Sequence, residues 1–168
     1  MTVSVAEYLL GRPVRSVLDV GCGEGFWRAP LLAMRPRARY VGVDSSPYVV
    51  RRFGRRRGIR LGRFDALDEA GVRGPFDLVV SVDVLHFLEP RELERGLRQV
   101  RALLGGIAYL PAFTAADAFE GDVRHVRRRT PAWYRRRFRW AGLVPAGLEC
   151  YVTRDVARAL AALERQPA

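Results

Sequence analysis

The residues with the clearest chemical potential form a glycine-rich turn near the start of the chain. Gly21, Gly23 and Gly25 follow residues 17–20, whose mostly apolar composition is typical of a parallel strand covered on both faces. Such glycines let the backbone approach a small ligand at the N-terminus of the next helix. Phe26 stands where the dinucleotide motif G-x-G-x-x-G requires a glycine, and a phosphate-binding P-loop requires a lysine that the chain lacks. The turn therefore predicts a small-ligand site of a different kind.

A carboxylate follows at the position expected for a group that binds ribose. Asp44 ends a second predicted strand at residues 39–44, and an acid about 20 residues after a glycine loop is placed to accept hydrogen bonds from both ribose hydroxyls. Ser46 and Pro47 then have the composition of an N-cap and a first-turn proline. The order strand, acid and helix start predicts that Asp44 faces the ligand.

These features and two later segments closely resemble the class I S-adenosylmethionine-dependent methyltransferases. The later segments are F-D-A at residues 64–66, after a third predicted strand, and D-V-L-H-F-L at residues 83–88, after a fourth one. The resemblance covers roughly residues 14–150. It implies S-adenosylmethionine as cofactor, S-adenosylhomocysteine as product and no metal, whereas a purely structural tight turn is the alternative interpretation of the glycines.

The resemblance implies roles for individual residues. Asp65 and the amide of Ala66 would meet the adenine edge, with Asp68 or Glu69 as alternatives to Asp65. Asp19 would orient the loop near the methionine amine. The cofactor-binding residues implied in this way are Asp19, Gly21, Cys22, Gly23, Gly25, Asp44, Ser45, Asp65, Ala66, Ser81, Val82 and Asp83.

The alternation of strands and helical patterns from residue 14 to about 152 predicts an α/β fold. We expect a Rossmann-like, doubly wound, mostly parallel sheet of six or seven strands with helices on both faces. The length of 168 residues and the 49% apolar composition predict one domain, 1–168, with its core at 14–152. Helices are expected at residues 4–10, 26–34, 47–56, 90–104 and 131–141, and a fifth strand at 107–110.

The end of the chain departs from the family pattern. A single strand, the sixth in the chain, is expected at residues 143–152, followed by a terminal helix at 154–165. This leaves no separate segment for the antiparallel seventh strand that is usual in the family. An uncovered sheet edge would favour a homodimer.

Catalysis of methyl transfer needs few special side chains. Transfer from a sulfonium is an in-line displacement that alignment and water exclusion accelerate, and a base is needed only when the acceptor loses a proton. The candidate bases are His86, after the fourth strand, and His125, in a predicted roof loop with Glu120 and Asp122. Packing or capping is the alternative for His86, and simple exposure for His125. Aromatic side chains that could line the acceptor site are Tyr109, Phe113, Trp133 and Tyr134.

The formal charge of +11 is carried by 29 arginines against 18 acidic residues. Two arginine runs stand out, at residues 51–57 and 124–139. Such runs bind phosphates or carboxylates, or form a solvated helix face. We favour the solvated face for the first run and leave both interpretations open for the second. The acceptor is therefore expected to be a small molecule, possible classes being acidic or carrier-bound compounds methylated on oxygen, nitrogen or carbon.

Other functional classes have less support in the sequence. Residues 83–86 are not the (Asp/Asn)-Pro-Pro-(Tyr/Phe) motif of many nucleic-acid amino-methyltransferases, and no Pro-Cys pair is present. A nucleic-acid methyltransferase and a non-catalytic S-adenosylmethionine-binding or regulatory subunit remain the alternatives. Cys22, Cys150 and two histidines suit neither a disulfide framework nor a zinc site. No membrane-length apolar run or signal peptide is evident, which predicts a cytoplasmic protein without membrane contact.

Overall fold

The computed structural model describes residues 2–118 and 125–162, in which strands alternate with helices. The helices are α1 (Thr2–Leu10), α2 (Arg28–Met34), α3 (Pro47–Arg57), α4 (Pro90–Leu103), α5 (Pro131–Trp140) and α6 (Arg154–Ala162). The strands are β1 (Ser16–Val20), β2 (Arg39–Asp44), β3 (Ile59–Leu61), β4 (Phe76–Val80), β5 (Leu104–Tyr109), β6 (Leu143–Gly147) and β7 (Cys150–Thr153). Among these residues no helix has both the length and the apolar character needed to cross a membrane.

The strands form one seven-stranded sheet in the order β3-β2-β1-β4-β5-β7-β6. The first five strands are mutually parallel, and β7 runs antiparallel to both of its neighbours. One apolar cluster packs α4 and α5 against the sheet, and a second packs α1 and α2 against the other face. The predicted doubly wound, mostly parallel sheet is therefore confirmed. The strand order reverses between β1 and β4, which is where ligands bind in such sheets.

The prediction of one strand at residues 143–152 was wrong. The chain reverses between β6 and β7 because Leu148 and Glu149 have positive φ angles of 51° and 58°. Non-glycine residues rarely adopt this left-handed conformation, so the apolar pattern of the segment did not reveal the turn. The antiparallel seventh strand is present and covers the edge of β5, which removes the argument for a dimer that rested on its absence.

Local signals located most helix starts correctly. Ser46 Oγ accepts the N–H of Val49 at the start of α3, and Thr130 Oγ1 accepts the N–H of Trp133 at the start of α5. The predicted terminal helix begins at Arg154, and its expected continuation beyond residue 162 lies outside the described residues. These caps depend on neighbours in sequence, so they can be predicted without tertiary information.

The glycine pair after α4 belongs to a strand that begins earlier than the predicted residue 107. Gly105 and Gly106 lie inside β5, which begins at Leu104. A Cβ atom on Gly106 would stand 2.3 Å from the carbonyl oxygen of Asp77 on the adjacent strand β4. The glycine is required by this close backbone approach, which no local pattern shows.

We predict that Gly96→Ala destabilises the fold. Gly96 is buried in α4, and an added Cβ would lie 2.0 Å from Cδ1 and 2.6 Å from the carbonyl oxygen of Phe64. Overpacking of this kind costs about 1–3 kcal/mol, which outweighs the gain of about 1 kcal/mol in helix propensity. Urea unfolding should therefore show a lower free energy of unfolding. The exposed Arg91→Ala is the control and should change it by less than about 0.5 kcal/mol; a stabilised Gly96→Ala would contradict the packing.

Candidate active site

A cavity of about 410 Å³ opens at the carboxyl edge of the sheet, where the strand order reverses. It lies where β1, β2 and β4 end and where the segment after β3 begins. Its walls are formed by Gly21, Asp44, Ser45, Gly62, Arg63, Phe64, Asp65, Asp83, Val84, Phe87, Leu88 and Glu92. Five of the predicted cofactor-binding residues, Gly21, Asp44, Ser45, Asp65 and Asp83, are therefore brought together here.

The glycine turn is attached to the neighbouring strand by its backbone. The N–H groups of Gly21 and Cys22 donate to the carbonyl oxygen of Val43, at 2.8 and 3.1 Å. Gly21 has a φ of 72°, and an added Cβ would stand only 2.2 Å from Cγ2 of Val84. Glycine is thus required at position 21 both by the backbone angle and by the close approach of the loop after β4.

Asp44 is held in a fixed orientation by two backbone amides. Its Oδ2 accepts the N–H of Gly23 at 2.8 Å, and its Oδ1 accepts the N–H of Ser46 at 2.9 Å. Each carboxylate oxygen has two acceptor sites, so both retain capacity for further donors. The side chain is half-buried and lines the cavity. This is a suitable arrangement for accepting two hydroxyl groups of one ligand.

Asp19 supports the turn from inside the protein. The side chain is buried, and its Oδ2 accepts the hydroxyl hydrogen of Tyr40 at 2.7 Å. Burial raises the pKa of Asp19 to about 6, the charge of Asp44 adds to this shift, and the Tyr40 bond opposes it. Asp19 therefore lies under the glycine turn as a carboxyl group whose ionisation is costly. The sequence pattern predicted that Asp19 lies near the turn, but it did not reveal the hydrogen bond with Tyr40.

The residues expected at the adenine edge are already engaged by other groups. Asp65 accepts two hydrogen bonds from Arg63, at 2.9 Å each, and another from Arg95. The Arg63 guanidinium is the main reason that the pKa of Asp65 lies below its usual range, with Arg95 acting in the same direction. The amide of Ala66 donates to the carbonyl oxygen of Arg63 at 3.1 Å. A ligand at this edge would meet an arginine-bound carboxylate rather than a free one.

Asp68 and Glu69, the alternatives to Asp65, are exposed and line a neighbouring polar groove instead. Sequence reasoning did not find Arg63 or Arg95. Arg95 lies on α4, thirty residues from Asp65, so its role depends on tertiary structure.

Three further predicted site residues, Ser81, Val82 and Asp83, follow β4. The N–H of Ser81 donates to the carbonyl oxygen of Tyr109 at 3.0 Å, which continues the β4–β5 pairing beyond the strands. The Ser81 hydroxyl is fully buried and has no hydrogen-bond partner among the described residues. Asp83 has a φ of 58°, a strained angle of the kind that accumulates at functional sites. Val82 is half-buried and does not line this cavity.

Comparison with known proteins identifies the family. A family model described as "Methyltransferase domain" matches residues 18–106, which is more than half of the chain. The chain belongs to the class I S-adenosylmethionine-dependent methyltransferases. The match includes the glycine turn, Asp44, Asp65 and the end of β4, and it confirms the resemblance inferred from those residues.

Two curated relatives are similar to parts of this methyltransferase domain. Trans-aconitate 2-methyltransferase of Deinococcus radiodurans is 36% identical over 98 residues, 57% of this chain and 37% of that protein. Malonyl-[acyl-carrier protein] O-methyltransferase of Legionella pneumophila is 34% identical over 85 residues, 48% of this chain and 30% of that protein. The chain thus spans about a third of the length of these relatives.

A solved structure confirms the fold of the methyltransferase domain. The sugar N-methyltransferase KedS8 from Streptoalloteichus sp ATCC 53650 superposes with a TM-score of 0.70 at 20% sequence identity. The superposition covers 90% of this chain and 84% of that one. At this identity the likeness concerns the arrangement of strands and helices.

The two candidate bases of the methyltransferase lie outside the walls of the cavity. His86 is 1% exposed and packs against the rings of Phe87 and Phe113, at centroid distances of 4.2 and 5.1 Å. Burial lowers its pKa. His125 is exposed, and its predicted neighbours at positions 120 and 122 lie outside the described residues. The surroundings of His86 favour a packing role.

Several arginines of the second run stabilise the methyltransferase fold. Arg127 forms an ion pair with Glu89. The guanidinium groups of Arg129 and Arg137 lie over the ring of Trp133, at 4.2 and 3.5 Å. The run is therefore more than a solvated face, and removing Arg127 and Arg129 would disturb packing. The other exposed described members are Arg128, Arg135, Arg136 and Arg139, and Arg127 is itself exposed.

We predict that Asp19 makes stability depend on pH. The folded-state pKa of about 6 exceeds the ordinary value of 3.8, so ionisation weakens the fold as the pH rises from about 4 to about 6. Asp19→Asn keeps an acceptor for Tyr40 but cannot ionise. Between pH 4 and pH 7 the variant should gain on the order of 2–3 kcal/mol relative to wild type. Chemical unfolding at several pH values measures this difference.

The control for the loss of one carboxylate is Asp68→Asn, since Asp68 is exposed and lies outside the cavity. A difference between Asp19→Asn and wild type that is the same at pH 4 and pH 7 would show that Asp19 ionises without cost in the folded protein.

Proposed function

We propose that this domain binds S-adenosylmethionine in the cavity between β1, β2 and β4 and methylates a small-molecule acceptor. The observation that carries the proposal is the position of Asp44. Two backbone amides orient its carboxylate at the cavity wall. The glycine turn forms a neighbouring part of this wall, where a Cβ on Gly21 would lie 2.2 Å from Val84 Cγ2. A glycine-rich turn beside an oriented carboxylate fits a ligand that has a ribose and an adjoining polar chain.

The other wall residues fit the same ligand. Phe64, Val84 and Phe87 add apolar surface to the cavity, which suits the faces of a purine ring. Its volume of about 410 Å³ lies in the range of small-molecule sites, about 300–1,000 Å³. The N–H of Gly23 donates to the carboxylate of Asp44, which lines the cavity. A ligand bound to Asp44 would therefore be coupled to the shape of the turn.

When bound, the cofactor supplies a sulfonium methyl group, whose transfer breaks the S–C bond, forms a bond to the acceptor atom and leaves S-adenosylhomocysteine. The part of this chain is to align the reactants and to exclude water. We assign no base role to His86, because it is buried among aromatic rings and is not itself part of the cavity lining. An acceptor that is already ionised, such as a carboxylate, loses no proton in the transfer and needs no base.

The acceptor class is suggested by the relatives and by charge. The names of the two relatives refer to trans-aconitate and to a malonyl group on a carrier protein, and both are carboxylic acids. The formal charge of +11 would attract an anionic acceptor by long-range steering. We therefore propose an acidic small molecule, free or attached to a carrier.

We predict that Asp44→Ala weakens S-adenosylmethionine binding by about 1.5–3 kcal/mol, because a charged acceptor of two hydrogen bonds is lost. Isothermal titration calorimetry on the full chain measures the effect. Asp68→Ala removes an acid outside the cavity and should bind like wild type. An Asp44→Ala variant that keeps full affinity, with unchanged folding by circular dichroism, would remove the ribose assignment.

We predict label transfer from methyl-labelled S-adenosylmethionine to small acids in cell extract. Extracts are fractionated by size and treated with ribonuclease before the reaction. Label that appears only in RNA would instead support a nucleic-acid methyltransferase. Binding of S-adenosylmethionine without transfer to any fraction would support a non-catalytic subunit.

A further inference from the structure

We infer that a second cavity, between α5 and the β6–β7 hairpin, is the acceptor site and takes a small aromatic carboxylic acid. This inference rests on the proposed function, because it names the substrate class of the same enzyme. The cavity measures about 260 Å³. Its lining includes Leu110, Ala112, Arg135, Phe138, Arg139 and Glu149.

The size and walls of this cavity suit one ring system. An apolar cavity of about 150 Å³ is enough to bind benzene, so the present volume accommodates a ring with substituents. Tyr134, Phe138 and Tyr151 supply aromatic surface, and the rings of Phe138 and Tyr151 lie 4.4 Å apart between centroids. Aromatic walls favour planar ligands, which pack against them in offset or edge-on arrangements.

Tyr134 contributes the face of its ring to this cavity. The residue is 3% exposed and its hydroxyl is fully buried. Burial raises the pKa of this phenol, and the charge of the neighbouring Arg129 guanidinium and its hydrogen bond oppose the shift. Tyr134 therefore adds aromatic surface beside the positive charge of α5.

Two arginines place a positive charge on one side of the cavity. Arg135 and Arg139 are four residues apart on α5, so they lie on the same helix face, and both line the cavity. They differ in this from Arg127 and Arg137, which pair with acids or aromatic rings of the fold. A guanidinium group binds a carboxylate through two parallel hydrogen bonds.

The opposite side of the cavity reaches the sheet edge beside β4. The N–H of Leu110 donates to the carbonyl oxygen of Glu149, and Tyr109 accepts the N–H of Ser81. Neighbouring strands lie about 5 Å apart, so the wall at Leu110 is one strand from the end of β4. The carboxylate of Glu149 repels a second carboxylate, which turns the acid group of a ligand toward Arg135 and its far end toward β4.

The test uses 1-naphthoate and its neutral analogue 1-naphthamide as probes. Binding to the full chain is measured by calorimetry in the presence of saturating S-adenosylhomocysteine. We expect naphthoate to bind at least tenfold more tightly than naphthamide, and the ratio to shrink as salt is raised, because the added interaction is electrostatic.

Three variants locate the bound probe. Arg139→Gln should weaken naphthoate about tenfold and leave naphthamide unchanged, whereas Ala112→Leu, which fills the cavity, should weaken both. Arg136→Gln is the matched control, since Arg136 is exposed on α5 outside the lining, and it should bind both probes like wild type. Intermolecular nuclear Overhauser effects between the naphthyl protons and Phe138 or Tyr151 provide a readout that does not depend on the variants.

The outcomes separate this inference from the proposed function. Failure of the chain to bind S-adenosylhomocysteine would overturn the proposed function. Normal cofactor binding with no naphthoate binding, or with binding that Ala112→Leu and Arg139→Gln do not weaken, would overturn the second site alone. Equal affinity for both probes would overturn the assignment of a carboxylate.

Discussion

The arrangement of the site depends on a short set of backbone hydrogen bonds between the glycine turn and the end of β2. The turn donates two N–H groups to Val43 and a third to Asp44. Since β1 and β2 are adjacent parallel strands, these bonds hold the glycine turn and the Asp44 carboxylate together at the cavity wall. The left-handed angle of Gly21 and its contact with Val84 extend the same unit to the loop after β4.

Charged side chains contribute to the packing of this protein. A chain with 29 arginines uses Arg63 and Arg95 to neutralise the buried Asp65, and Arg129 and Arg137 to cover Trp133. Arginine suits these positions because its planar group binds carboxylates through two bonds and stacks on rings. Several arginines are therefore engaged within the fold, while Arg135 and Arg139 of α5 line the second cavity.

Much of the fold, and five of the residues that line the candidate cavity, could be predicted from patterns in the sequence. The caps at Ser46 and Thr130 act on residues close by in the chain, so they can be predicted from their immediate neighbours. The glycine turn and Asp44 could be predicted from the spacing of a known motif. The alternation of apolar strands and amphipathic helices likewise limits the topology to a parallel, doubly wound sheet.

The sequence by itself determined the order of the elements as far as α5 and the position of the glycine turn, because both depend on local conformational preference and on periodic burial. Only the tertiary structure decided the partners of Asp19 and Asp65, the burial of His86 among aromatic rings, and the cavity beside α5. It also revealed the β6–β7 turn, where two non-glycine residues are held at positive φ. These features depend on contacts between residues distant in the chain, or on strain that the surrounding packing maintains, and neither has a local signature.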